Sequence, residues 1–128
     1  MTIAQVSKQF QLSADTLRYY ERIGLIPPVR RTSGGIRDYT EEDCRWIGFS
    51  KCMRSSGLPI EAIVEYVSLF QLGDQTVDAR KQILIEQRSH LEQKIAELQQ
   101  TLERLNRKIE HYEQSVLPAE KRLKKMSY

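Results

Sequence analysis

The sequence predicts a mainly α-helical protein. A winged helix-turn-helix head with a small β-hairpin wing is followed by one long dimerisation coiled-coil helix. Three observations carry this. Two short amphipathic segments with capping residues flank a turn near the N-terminus. A Gly-rich segment bearing arginines follows a Pro-Pro break. Between residues 76 and 117 there is no Gly or Pro, and apolar residues recur at alternating spacings of four and three. The chain divides into a head (1–73), a coiled-coil helix (74–117) and a basic tail (118–128).

Each element has a local reason. Thr2 followed by Gln5 fits a capping box, and Ile3 and Val6 give a short apolar face, so 3–9 reads as a helix. Ser13 is the next N-cap, with Asp15 in the first turn where the helix dipole favours an anion. Leu17, Tyr20 and Ile23 recur at helical spacing, and Gly24 fits a left-handed stop. After Pro27 and Pro28, residues 30–39 read as two short strands around Ser33-Gly34-Gly35. Two strands alone are marginal, so the hairpin must lean on the helices as a wing.

Thr40 caps a third helix, with Trp46, Phe49 and Met53 as its expected core face. Gly57 ends it, and Pro59 suits the first turn of a fourth helix whose stripe is Ile60, Ile63, Val64, Val67 and Phe70. Gly73 ends that helix. The long helix then carries Leu91, Leu98, Leu105 and Tyr112 at d, with Ile95, Leu102, Ile109 and Val116 at a. Its roughly 40 residues would make a rod of about 60 Å. One amphipathic helix cannot bury its own stripe, and no second long heptad helix exists in the chain, so a homodimer is the economical solution. Continued backward, the register puts Lys81 and Arg88 at a, so the first three turns are expected to pack on the head. Pro118 is expected to stop the rod.

Composition narrows the function. Residues 1–56 hold nine basic and six acidic side chains, whereas 57–128 hold eleven of each. The head is therefore the expected partner of a polyanion. A hydrophobic content of 40% excludes wholesale disorder. No apolar run approaches the roughly 20 residues needed to cross a bilayer, and the first ten residues do not form a signal peptide, so no membrane partner and a cytoplasmic location are expected. No nucleophile–base pair, paired catalytic carboxylates or phosphate-binding glycine loop is present, so neither an enzyme nor a cofactor is expected. Cys44 and Cys52 are the only cysteines, and His90 and His111 lie far along the chain, which argues against structural zinc or any other metal.

Thr16-Leu-Arg-Tyr-Tyr-Glu21, Gly24-Leu-Ile-Pro27, Gly35-Ile-Arg-Asp-Tyr39 and the terminal coil, in that order, resemble the MerR family of bacterial transcription regulators. Ile36 stands where many members have an aromatic residue. Position in the second helix and the resemblance together make Thr16, Arg18, Tyr19 and Tyr20 candidate DNA contacts, Arg18 being suited to a bidentate bond with guanine or phosphate, while Tyr20, on one face with Leu17 and Gly24, is equally placed to be part of the core. The resemblance adds Arg37, Tyr39 and Arg54 as backbone contacts. It implies an antiparallel coil and a pseudo-palindromic operator in an overlong promoter spacer. Distortion of that spacer would let RNA polymerase engage both promoter elements.

Cys52 looks like the lone cysteine of the thiol-based branch responding to aldehydes, quinones or nitric-oxide stress, with a small electrophile as covalent effector. Lys51 and Arg54 are near enough in sequence to favour its thiolate. No cysteine follows position 52, and the chain ends about ten residues after the coil, so metal sensing and bulky-drug sensing are disfavoured. Cys44 lies eight residues earlier on the same helix, about 12 Å along its axis. Disulfide reach is about 7 Å between Cα atoms, so Cys44 reads as structural. The alternative function is an effector-independent architectural or antirepressor DNA-binding module.

Overall fold

In a computed structural model, residues 1–126 are described. Six α-helices occur among them: α1 (Ile3–Phe10), α2 (Ala14–Ile23), α3 (Glu41–Ser55), α4 (Ile60–Leu72), α5 (Val77–Glu110) and α6 (Leu117–Met126). The chain divides into two compact units, Met1–Gln87 and residues from Arg88 onward. The first unit therefore includes the opening turns of α5 and extends well past Gly73. No described helix is long and apolar enough to cross a membrane.

The head is organised by its caps. Thr2 and Gln5 exchange both bonds of a capping box, Gln5 N donating to Thr2 Oγ1 at 3.2 Å and Thr2 N to Gln5 Oε1 at 2.9 Å. Thr16 N donates to Ser13 Oγ at 3.0 Å, starting α2. Thr40 and Asp43 form a second reciprocal pair at α3. Each bond satisfies an N–H that the first helical turn leaves without a partner. Gly24, at φ 87°, closes α2 in the left-handed region. Gln11 takes that region at the end of α1, at φ 55°.

The core consists of Val6, Leu17, Tyr20, Leu25, Ile26, Val29, Tyr39, Ile47, Ile63 and Val67. On α3 the buried positions are Ile47 and Ser50, not the expected Trp46, Phe49 and Met53, which are half-buried. The reason is that α3 is packed on two sides. Ile47 and Ser50 face the centre, and Ser50 Oγ donates to Leu25 O at 2.5 Å. Trp46 and Phe49 instead meet α4, with Trp46 4.8 Å from Phe70 and Phe49 5.6 Å from Tyr66 between ring centroids.

Two other expectations are corrected. Residues 30–39 do not form two strands. A single antiparallel bridge joins Arg31 and Arg37. Thr32 N donates to Ile36 O at 2.7 Å and Asp38 N to Arg30 O at 2.8 Å. The tight turn at Gly34-Gly35 leaves too few residues on either side for a ladder. The long helix, moreover, does not run to residue 117. It ends at Glu110, and Tyr112–Val116 form a π turn before α6. Pro118, the second residue of α6, explains the wide turn. It has no N–H to donate to the carbonyl of Gln114, and its ring would crowd that carbonyl in a regular helix. The Tyr112 hydroxyl bonds Glu120 across the turn, and this bond raises the phenol pKa. Tyr112 and Val116 thus leave the α5 register, and Leu91, Ile95, Leu98, Leu102, Leu105 and Ile109 remain on it.

Candidate nucleic-acid interface

The turn between α1 and α2 places α2 as the second helix of a helix-turn-helix pair. On its exposed side, Arg18 Nη1 pairs with Asp15 Oδ1 at 2.8 Å and remains about half exposed. Tyr19 is also exposed, with the Arg22 guanidinium 5.4 Å from its ring centroid. Thr16 Oγ1 lies 2.8 Å from the capping Ser13 Oγ. These three side chains share the start and outer face of α2. An exposed Arg held only by a surface carboxylate gives up little when it exchanges that partner for a phosphate or a guanine edge.

The other predicted contacts sit differently. Tyr20 is buried in the core, and burial raises its pKa against a lowering by the nearby Arg54 charge. Arg54 itself is exposed at the end of α3, where its Nη1 donates to Leu58 O at 2.8 Å. Tyr39 is 2% exposed. Its hydroxyl is buried without a hydrogen-bond partner among the described residues, and burial raises its pKa. Arg37 points inward. Its Nε donates to Glu21 Oε1 at 2.7 Å, with the two side chains 20% and 16% exposed. Tyr39 and Arg37 are therefore not free surface groups in this structure. Val29 and Tyr39, both buried, carry the loop's base into the core and turn these side chains with it.

Cys52 is exposed, and Cys44 is partly buried. Burial, then the Asp43 carboxylate, pushes the Cys44 thiol pKa up. The cations expected beside Cys52 are engaged elsewhere. Lys51 Nζ donates to Phe10 O and Arg54 to Leu58 O. Among the described residues no group of three or more His, Cys, Asp or Glu could hold a metal ion. In the second unit the coil residues are open: Leu98 is 60% and Ile109 71% exposed.

Residues 1–69 match the model of the MerR HTH family regulatory protein, and residues 44–108 match that of MerR, DNA binding. The chain belongs to the MerR family. It is 65% identical over 91 residues to the HTH-type transcriptional regulator AdhR of Bacillus subtilis. That match covers 71% of this chain and 65% of AdhR, so the chain spans just under two thirds of that relative. A MerR family transcriptional regulator from Listeria monocytogenes superposes with a TM-score of 0.86 at 44% identity, over 99% of this chain and 96% of that one. HiNmlR, a MerR family regulator lacking the sensor domain and bound to promoter DNA, superposes with a TM-score of 0.78 at 29% identity, over 91% and 92%. These relatives are transcriptional regulators, and this chain shares their family.

Sequence reasoning missed Glu21, Arg22 and Tyr66. Glu21 carried a signal, because an acidic residue in the last turn of a helix opposes the dipole and needs a compensating partner. Tyr66 lies off the Ile63–Val67 stripe and found its place only because Trp46 and Phe49 face α4. One consequence for this MerR-family head is testable. Removing an unpartnered buried hydroxyl relieves a desolvation cost instead of breaking a bond. Tyr39→Phe is therefore expected to keep or slightly raise the melting temperature and to leave DNA affinity unchanged. A clear loss of affinity with an unaltered melting temperature would return Tyr39 to the contact surface.

Proposed function

We propose that this chain is a DNA-binding transcription regulator that binds a pseudo-palindromic promoter operator as a homodimer and activates transcription by distorting the DNA. Modification of Cys52 by electrophiles or reactive nitrogen and oxygen species is the proposed switch. The carrying observation is the combination of an α2 face with Arg18 and Tyr19 exposed and Thr16 half-buried at its start, and an apolar α5 stripe that is open in the single chain. A two-fold dimer presents two such faces, which matches an operator of two related half-sites. Bending and untwisting the spacer costs several kcal/mol. Phosphate contacts from both heads, made by the 30–39 loop as the wing and by Arg54 at the end of α3, would offset that cost. RNA polymerase would then meet both promoter elements in register. The likeness to AdhR supports the branch, and the promoter-bound state of HiNmlR supports the DNA partner.

The effector-independent module is a second reading, and one observation favours it. Lys51 and Arg54 are committed to main-chain carbonyls rather than to the Cys52 thiol. Footprinting of the upstream promoter DNA, with and without an aldehyde or a nitrosating agent, separates the two. A central distortion that appears only after treatment supports the switch, and an identical footprint in both states supports the architectural reading.

Arg18→Ala should cost ~1–3 kcal/mol of operator binding and relax preference at one position of each half-site. Titration against an operator library checks this. A loss spread evenly over all sequences would make Arg18 a phosphate contact only.

A further inference from the structure

We infer that Glu21 is the positioning residue that fixes the 30–39 loop against the DNA-reading helix. This rests on the DNA-binding reading of α2 and adds how its second contact surface is set. The two oxygens of this carboxylate receive donors from opposite sides of the loop. Oε1 accepts from Arg37 Nε at 2.7 Å, on the returning chain, and Oε2 accepts from Val29 N at 3.3 Å, on the outgoing chain. One side chain on α2 thus ties both ends of the loop to the helix that carries Arg18 and Tyr19.

The loop's other polar contacts go elsewhere than α2. Some are internal: Arg30 Nη2 to Asp38 Oδ2 at 3.1 Å, Arg31 Nη1 to Gly35 O at 2.9 Å, and the single bridge between Arg31 and Arg37. Others join its returning end to Met1: the Met1 ammonium donates to Asp38 Oδ1 at 3.2 Å and to Tyr39 O at 2.7 Å, and Tyr39 N donates to Met1 O at 2.8 Å. The first set holds the loop's own shape and the second anchors residues 38–39 to the segment before α1, but neither ties the outgoing chain at Val29 or reaches α2. Val29 and Tyr39 bury its base, but apolar packing is not directional and tolerates small shifts. The Glu21–Arg37 pair is mostly shielded from water, where an ion pair is charge-assisted and geometrically exacting. Its placement also explains an otherwise unfavourable sequence choice, an anion at the negative end of α2. The spacing between the phosphates met by the loop and the bases met by α2 is, on this geometry, set from the α2 side by Glu21, with Met1 holding residues 38–39.

The test compares the full-length wild-type chain with Glu21→Ala in two assays. Without DNA, hydrogen exchange is followed by mass spectrometry. Faster exchange confined to residues 29–39, with α1–α4 unchanged, is the expected result. With promoter DNA, hydroxyl-radical footprinting should show protection lost at the phosphates flanking each half-site and kept where α2 lies, and affinity should fall about tenfold. General destabilisation would instead weaken every protected position together, and that outcome, or unaltered exchange over 29–39, overturns the proposal. If Glu21→Ala does not fold, Glu21→Gln, which keeps the acceptor and loses the charge, is put through the same assays and judged by the same outcomes. The exchanged pair Glu21→Arg with Arg37→Glu should recover slow exchange on the returning chain, residues 36–39, that neither single change retains, and should not recover it at Val29, because the guanidinium at position 21 offers that N–H no acceptor. Because the exchange assays use no DNA, a wild-type chain that fails to bind promoter DNA would count against the DNA reading and leave the clamp judged separately.

Discussion

Changing Leu98 and Leu102 together to aspartate is expected to convert the protein to monomers at micromolar concentration and to abolish tight operator binding. Both side chains are more than half exposed in the single chain, so the head loses nothing when they change. In a dimer each leucine would be buried, a gain of about 1.5–3 kcal/mol per side chain. The double change removes that gain on both chains and adds four carboxylates to the seam, where unpaired charge is strongly penalised. A monomer also loses the benefit of two linked heads, which raises affinity by about 10²–10⁴-fold. Analytical ultracentrifugation and operator titration read the two effects, with an unchanged melting profile of the head as the control. A variant that sediments as a dimer would show that the seam is not the interface.

The second large effect is expected at the thiols. Cys52→Ser should bind the operator normally and lose induction by aldehyde or nitrosative challenge, whereas Cys44→Ser should keep it. Exposure gives Cys52 access to a reagent. Cys44 is disfavoured as a nucleophile because burial, then Asp43, raises its pKa and so lowers the share of thiolate at a given pH. Alkylation at neutral pH should accordingly label Cys52 first, and labelling of Cys44 should grow as the pH rises. An adduct on an exposed side chain alters packing only where another surface meets it. The switch therefore requires the second protomer, or the DNA complex, to approach the end of α3. A promoter reporter carrying each serine variant decides the matter. Full induction with Cys52→Ser would end the thiol reading and leave the effector-independent module as the better one.

The caps of the first three helices and the apolar period of the long helix were legible in the sequence because they depend on neighbours within about four residues. Thr2 with Gln5, Thr40 with Asp43, Ser13 at the head of α2 and the left-handed Gly24 all act within one turn, and the structure shows each of them. The a and d seam is likewise a local period along α5. Only the tertiary structure decided where the long polar side chains go. Arg37 was expected to face a phosphate, yet it turns inward to Glu21, sixteen residues away in sequence. Lys51 was expected beside Cys52, yet it reaches Phe10, forty-one residues away. Tyr39 joins the core because Val29 and the other buried residues close over it. Spacing along a chain tells which face a residue occupies. The partner that waits there is set by packing between distant segments, and in this head three predicted contacts, Tyr20, Arg37 and Tyr39, lie inward.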